Sequence, residues 1–302
     1  MNKSILNSPG IKEERKCIDF CFLLPILILL LKYLLNLLIS FLPGTKTEVV
    51  MSLINSVITV AAYIFPLLAL IKMTGIKFIF SDYDRPRRAS DGILFTIFGI
   101  GGCLAINGVF MFLSFIMTFK QDNGVGYQSD ILTVCIAVVQ SAIIPAICEE
   151  LVFRGFMLKE LRPFGTVFPI LLTSTVFGVM HSHPLIMVFA FCCGMLLGFI
   201  RNASGFLLIP IIVHFVNNTF SIIQDTVVGT DPVMRLIVSG AVLVGGSVLA
   251  GIAFLILKKR RAFSYAVPRH NSSLTLKEKL IGLFTSIFLY VFIFTMIFRS
   301  IQ

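Results

Sequence analysis

Three polar clusters interrupt strongly apolar segments of this sequence, and they contain the residue types that activate water. The first is the segment 149–154 (EELVFR), the second ends at His181, and the third runs from His214 to Asn218. A carboxylate can take a proton from water, while imidazole and amide groups stabilise the oxyanion that forms. Two imidazoles and a carboxylate can also hold a zinc ion with an open position. The clusters therefore predict hydrolytic chemistry, with or without a metal.

The spacing within the clusters predicts which side chains lie together. Glu150 and Arg154 stand four residues apart and share a helix face, so they can form an ion pair. Glu149 points about 100° away from Glu150 if the segment is helical. His214 and Asn218 are also four residues apart, so an imidazole and a carboxamide project from one face of a helix.

Each cluster taken singly has a simpler explanation. A salt-bridged helix end near the membrane surface would account for Arg154 and one carboxylate, although it leaves the second glutamate unexplained. A lone histidine at the end of an apolar run, such as His181, is more often an ordinary helix-end residue than a ligand. Two carboxylates, two imidazoles and an amide on three separate helices are hard to explain as packing, and convergence on one buried site accounts for all of them.

The elements that must position these residues are membrane-spanning helices. The 302 residues are 57% hydrophobic and only 13% charged, and apolar runs of about twenty residues are long enough to cross a bilayer. We expect an all-α, polytopic transmembrane helix bundle of about eight or nine transmembrane helices. The runs lie near 18–42, 49–71, 92–118, 131–157, 167–182, 184–200, 206–228, 235–257 and 280–298. An ionisable group inside such a run costs about 2.5 to 3.5 kcal/mol, so it usually has a partner, a water cavity or a function.

The basic residues predict how the bundle is oriented. Most of the 25 Lys and Arg residues fall on one side of the nine expected crossings, which predicts a multi-pass cell-membrane protein with a cytoplasmic N-terminus. The run 18–42 is too long for a cleaved signal sequence, so we expect it to remain attached. The basic segments 85–88 and 258–261 are explained as topology signals. The formal charge of +10 therefore predicts contact with membrane lipid rather than with nucleic acid.

Small residues and cysteines are expected to serve packing. The pattern from Gly194 to Gly198 and the glycine-rich stretches 99–102 and 245–251 allow helices to approach closely. The seven cysteines lie in or beside apolar runs without metal-ligand spacing, so we expect them to pack as small apolar residues. The expected organisation is a core at 131–228, preceded by helices of 1–130 and followed by helices of 229–302.

The order of the three clusters resembles the CPBP family of intramembrane peptidases, which includes type II CAAX prenyl endopeptidases and Abi proteins linked to bacteriocin processing and self-immunity. The family pattern is E-E-x-x-x-R, then F-x-x-x-H, then H-x-x-x-N. Every element is present without substitution, and the resemblance covers roughly residues 131–228. The matching residues are Glu149, Glu150, Arg154, Phe177, His181, His214 and Asn218.

The resemblance implies roles for these residues. Glu149 and His181 would activate the attacking water, His214 and Asn218 would form the oxyanion site, and Glu150 and Arg154 would support the geometry. It leaves open a zinc or other divalent metal, for which Glu149, His181 and His214 are the candidate ligands. The implied activity is that of an intramembrane endopeptidase, acting from the cytoplasmic side on a membrane-associated protein or peptide.

Composition bears on the biological role and other functions stay open. The absence of Trp and the abundance of Ile, Phe and Lys suggest an AT-rich bacterial genome, which favours peptide maturation or self-immunity over prenylated CAAX substrates. A non-catalytic membrane immunity or scaffold protein is the main alternative. A proton-coupled transporter would also bury Glu, His and Arg, but no paired broken helices support it. The oligomeric state is left open.

The expected depth of His181 along its helix disagrees with a site shared with Glu149 and His214. At 1.5 Å per residue, Glu149 lies about 12 Å from a helix end at 157, and His214 lies about 12 Å from one at 206. His181 would lie about 21 Å from a helix start at 167. Either the fifth helix starts later or tilts, or His181 is misassigned, and His183 is no better placed.

Overall fold

Helices account for nearly all of the chain that the computed structural model describes, which is residues 9–41, 47–76, 89–118, 131–181, 183–227, 232–265 and 274–301. We number the helices in chain order. They are α1 Pro9–Ser40, α2 Glu48–Thr74, α3 Ala89–Thr118, α4 Ile131–Glu160, α5 Val167–Val179, α6 Pro184–Ser204, α7 Leu208–Val227, α8 Pro232–Lys259, α9 Leu276–Thr285 and α10 Ile287–Ile301. Among these described residues there is no β-strand.

The all-α transmembrane bundle expected from the sequence is confirmed. Each apolar run forms a helix, and the last run forms two, α9 and α10, bent by 61° at Ser286. Six described helices are long and apolar enough to cross a membrane, or seven if the bent pair is one span. This is fewer than nine, because α5 has only 13 residues and the apolar part of α7, Leu208–Gln224, is also short.

Local sequence signals set several helix boundaries. The Thr47 side chain accepts a hydrogen bond from the Val50 N–H at the start of α2. Thr275 and Glu278 form a reciprocal capping box at the start of α9. Gly205 ends α6 in the left-handed conformation, with φ 76°, where an L side chain would be strained. The short turn it makes lets α7 run back along α6.

The buried apolar residues form two clusters that divide the bundle. The first cluster draws mainly on α1, α2, α4, α5 and α10, and we call these helices the first half. The second cluster draws on α3, α6, α7 and α8, and these form the second half. Helix α6 joins them, because Ala190 packs in the first cluster and Cys193 in the second. The motif-bearing helices α4, α5 and α7 therefore meet where the halves adjoin.

Glycines allow the closest helix approaches, as the sequence predicts. A Cβ added at Gly101 of α3 would lie 2.6 Å from the Ala250 backbone nitrogen of α8, and one at Gly198 of α6 would lie 3.1 Å from Ile170 of α5. All seven cysteines are free and Cys135 is exposed. The basic segment 85–88 lies outside the described residues. In the segment 258–261, Arg260 pairs with Asp91 at 3.2 Å and connects the end of α8 to the start of α3.

The approach of α3 to α8 gives a stability test. We expect Gly101→Ala to destabilise the protein by about 1 to 3 kcal/mol, because the added methyl group meets backbone that cannot move aside. The matched control is Gly251→Ala in α8, where a Cβ meets nothing within 4 Å. Thermal unfolding in detergent measures both. Equal melting temperatures for the two variants would contradict this account of the α3–α8 contact.

Candidate active site

Proline shapes the helix that carries the two glutamates. Pro145 has no N–H, so the carbonyl four residues earlier, that of Ser141, loses its usual α-helical partner. Around it, Val139–Ile143 is π-helical, and a second π-helical stretch, Leu151–Met157, follows the glutamates. Such π-helical segments are rare and frequently occur at functional sites. The Ser141 carbonyl instead accepts a hydrogen bond of 3.2 Å from Nδ2 of Asn218.

Glu150 lies at the centre of a buried ion-pair network. Its Oε1 accepts a hydrogen bond of 2.7 Å from Nη1 of Arg154 and one of 2.9 Å from Nδ1 of His214. The side chains of Glu150 and Arg154 are 0% and 1% exposed. Arg154 also donates to the Gly194 carbonyl of α6 at 3.1 Å. One arginine and one glutamate therefore join α4, α6 and α7, and the predicted Glu150–Arg154 pair is observed.

His214 presents its second nitrogen to Glu149. Since a carboxylate can only accept, Nδ1 carries the proton shared with Glu150, which fixes the orientation of the ring. Its Nε2 then lies 3.8 Å from Oε2 of Glu149, too far for a direct hydrogen bond. The other oxygen of Glu149 accepts a hydrogen bond of 3.3 Å from the Tyr63 hydroxyl of α2. As predicted, Glu149 and Glu150 point in different directions, Glu149 towards an open space and Glu150 into the protein.

The Phe177 ring packs against both histidine rings of the site. Its ring contacts the His181 ring edge-on at a centroid distance of 5.1 Å and the His214 ring at 5.9 Å. The Arg154 guanidinium lies over the same ring, 4.8 Å from its centroid. Helix α5 ends at Val179, and His181 lies in the turn beyond it, where its Nδ1 is 2.9 Å from the Phe177 carbonyl. The disagreement in length does not exclude His181 from the site, because His181 and Glu149 line the same two cavities.

A chain of amides positions Asn218. Asn107 of α3 donates from Nδ2 to Oδ1 of Asn217 at 2.5 Å, and Asn217 donates to Oδ1 of Asn218 at 3.5 Å. Asn218 then donates to the Ser141 carbonyl. An amide nitrogen has two hydrogens, so one N–H of Asn218 remains for a ligand.

Two cavities meet at these residues. The first has a volume of about 370 Å³, and its polar lining includes Glu149, His181, His214, Asn217 and Asn218. The second, of about 720 Å³, lies between α1, α5 and α10. Tyr63, Glu149 and His181 line both. All four residues to which the sequence analysis gave catalytic roles thus border one space inside the bundle.

The metal-ligand candidates do not form a ligand set. Among the described residues, no three His, Cys, Asp or Glu side chains are grouped so that they could hold a metal ion. Glu149 and His214 approach each other only as a pair, fewer than the three protein ligands that hold zinc in a catalytic site. The arrangement does not fit a zinc site, and no step below involves a metal.

Three residues of the site lie outside the motifs. Asn107 shows a signal in the sequence, since it is a polar residue inside the apolar run of α3, and Asn217 directly precedes a motif residue. Tyr63 gives no such signal, because tyrosine is common in membrane helices near the interface. Its hydrogen bond to Glu149 depends on how α2 packs on α4, which no local pattern shows.

Comparison with protein families supports the class that this geometry suggests. The model described as type II CAAX prenyl endopeptidase Rce1-like matches residues 131–220, a segment from the start of α4 into α7. Comparison with curated proteins and with solved structures found no match.

The match confirms the family resemblance that the three motifs indicated, and the matched segment contains all seven motif residues. This is a protease family. The protein is thus a multi-pass membrane protein in which residues 131–220 are similar to the type II CAAX prenyl endopeptidase Rce1-like family.

The ion-pair network predicts an asymmetry between single and double variants. Arg154→Met leaves the Glu150 charge buried without its partner, which we expect to cost about 3 to 5 kcal/mol. The double variant Glu150→Gln with Arg154→Met removes both charges and should recover most of that loss, since a glutamine oxygen still accepts from His214. Melting temperatures in detergent measure both variants. An unchanged melting temperature for Arg154→Met alone would contradict the network.

Proposed function

We propose that the protein hydrolyses a peptide bond of a membrane-associated protein or peptide, with water activated by Glu149 and the histidines in the first cavity. The observation that carries this proposal is the gap of 3.8 Å between Glu149 and His214, inside a cavity that His181 and Asn218 also line. A carboxylate and an imidazole at this separation can both contact one water molecule.

The chemistry can be assigned to atoms of the chain. Glu149 takes the proton of the attacking water, and the Tyr63 hydroxyl bonded to its other oxygen keeps the carboxylate oriented. His181 borders the same space, and its Nδ1 lies beside the Phe177 carbonyl. Its Nε2 is therefore available to the water. The leaving amine then takes a proton from Glu149.

Stabilisation of the oxyanion falls to the third motif. His214 can donate through Nε2 only when both of its nitrogens are protonated, and Glu150 bonded to Nδ1 stabilises that charged ring. Asn218 contributes its remaining N–H. Arg154 holds Glu150 in place through their ion pair, so it acts through Glu150 and His214 and not on the substrate.

The geometry favours an enzyme over the other functions. A scaffold protein has no requirement for a carboxylate and an imidazole held apart across a cavity by partners on both sides. A transporter would pass its substrate from one membrane face to the other, whereas Glu150 and Arg154 are sealed in packed apolar residues. Peptide maturation or self-immunity in a bacterium, with the N-terminus in the cytoplasm, is the biological setting that we propose.

Activity of variants tests the reaction. We expect Glu149→Gln to lower peptide cleavage by about 10²- to 10⁴-fold, because the amide cannot accept the proton. Mass spectrometry of membrane peptides from cells carrying either form identifies the peptides that differ. The melting temperature should remain near that of wild type, since glutamine still accepts from Tyr63. Identical peptide profiles for the two forms would overturn the proposal.

A neighbouring histidine supplies a matched control for His181. We expect His181→Gln to lower the rate by about 10²-fold or more. His183→Gln should leave the rate unchanged, because His183 is exposed and lines neither cavity. Cleavage rates of purified variants on a peptide identified by profiling measure the difference. Equal losses at both positions would mean that the turn after α5, and not the His181 imidazole, matters.

A further inference from the structure

The second cavity contains two cations that the proposed reaction does not use. Lys32 of α1 and Arg299 of α10 line it, and Lys32 also lines the first cavity. Lys32 lies inside the span Arg15–Ser40, about 12 Å from its Ser40 end at 1.5 Å per residue. A lysine at such a depth is costly, so it normally faces a water-filled space and has a partner or a function.

The protein itself supplies little to neutralise these cations. Glu149 attracts Lys32 electrostatically, and Arg299 repels it. Arg299 donates from Nη1 to the Met180 carbonyl at 2.7 Å, which is one of its five N–H groups. Both side chains are exposed to the cavity rather than buried in packing.

The charges around the joined cavities leave room for one anion. Among the described residues that line them, Glu149 is the single carboxylate, and Lys32 and Arg299 are both positive. Glu150 and Arg154 lie behind this lining and neutralise each other. The lining therefore carries a formal excess of one positive charge, with the histidines counted as neutral.

The other residues that line the second cavity indicate which further groups its ligand must have. They are largely apolar, with Ile26, Leu29 and Leu30 on α1 and Phe298 on α10. A volume of about 720 Å³ is in the range of sites that enclose a ligand. Because Glu149 and His181 line both cavities, a chain held in the second continues to the reacting residues in the first.

We propose that Lys32 and Arg299 form a specificity subsite for an acidic group of the substrate peptide, either a carboxylate side chain or the terminal carboxylate. This inference rests on the proposed peptidase function and names the kind of substrate that it would take: an apolar peptide with a negative charge close to the cleaved bond. Two cations bordered by apolar walls bind a carboxylate more strongly than they would in bulk water.

Lys32 is the better residue to test, because Arg299 also holds the turn that carries His181. Wild type, Lys32→Met and the control Lys72→Met are purified at full length and placed in phosphatidylcholine nanodiscs. Lys72 is also exposed on a membrane helix, near the end of α2, and lines neither cavity. The probe is a pool of synthetic apolar peptides, and each one that is cleaved is remade with its acidic side chains as amides, and separately with an amidated C-terminus.

Removal of the recognised acidic group should lower kcat/KM of wild type by about 10- to 100-fold, the value of a charged hydrogen bond. On the acidic peptide, kcat/KM of Lys32→Met should fall by the same factor, and on the amide form it should be close to that of wild type. Lys72→Met should match wild type on both peptides. The two amide forms tell a side-chain carboxylate from a terminal one. Equal losses for Lys32→Met on acidic and amide peptides would overturn the subsite, and so would equal cleavage of both by wild type.

A binding experiment separates this inference from the proposed activity. The Glu149→Gln protein and the double variant Glu149→Gln with Lys32→Met are each incubated with the same pool, and the retained peptides are identified. Suppose that Glu149→Gln retains acidic peptides, that the double variant does not, and that the wild-type protein cleaves no peptide of the pool. That result would support the subsite and overturn the peptidase. Cleavage with no acidic preference would do the reverse. Suppose instead that phosphatidylglycerol from mixed nanodiscs is retained only by protein that has Lys32, with no preference among peptides. That result would assign the two cations to lipid binding and overturn the proposal.

Discussion

The pairing of Glu150 with both Arg154 and His214 is the constraint on which the site depends. In an apolar interior a carboxylate must be neutralised and hydrogen-bonded, or it will not remain charged. Arg154 supplies the charge and His214 the second hydrogen bond. This requirement holds α7 against α4 at a fixed rotation, and the same rotation points Nε2 of His214 at Glu149. A structural need of one glutamate thereby sets the reactive geometry of the other.

Aromatic packing extends this constraint to α5. Phe177 touches both imidazole rings and lies under the Arg154 guanidinium, so the three motifs form one contact network around a single ring. The family pattern contains this phenylalanine together with the polar residues. Its contacts give a physical reason, because a smaller side chain would leave the guanidinium without its aromatic neighbour and both imidazoles without a wall.

The sequence predicts much of this arrangement because membrane depth makes polar residues rare. Apolar runs predicted the helices, and the helical period predicted the different directions of Glu149 and Glu150 and the pairing of Glu150 with Arg154. The sequence did not predict contacts between helices that are distant along the chain. The Tyr63 hydrogen bond and the amide chain from Asn107 depend on the rotation of α2 and α3. Counting residues along α5 gave His181 a depth different from that of Glu149 and His214, yet all three line one cavity, because the packing of α5 in the bundle does not follow from residue counts. The sequence also predicted more long helices than the structure shows, because an apolar run can form a helix shorter than the thickness of the bilayer.

The two packing clusters bear on how the site is built. Each half has its own buried apolar residues, and the reactive groups come from both: Glu149, Tyr63 and Phe177 from the first, His214 and Asn218 from the second. A cavity at a junction of this kind can exist inside a well-packed bundle, because each half satisfies its own packing. The cost is that the polar contacts across the junction must align the halves accurately.

Pro145 also has a consequence for attempts to engineer this protein. Replacing a proline inside a helix is an ordinary route to a more stable membrane protein, because the substitution restores a backbone hydrogen bond. Here the restored bond would go to the Ser141 carbonyl, which is the group that Asn218 now satisfies. The irregularity in α4 therefore leaves the Ser141 carbonyl open to α7, and a restored backbone bond would compete with Asn218 for that carbonyl. Stability and function make opposite demands on one residue, so a screen for heat resistance alone would select against the arrangement seen in the site.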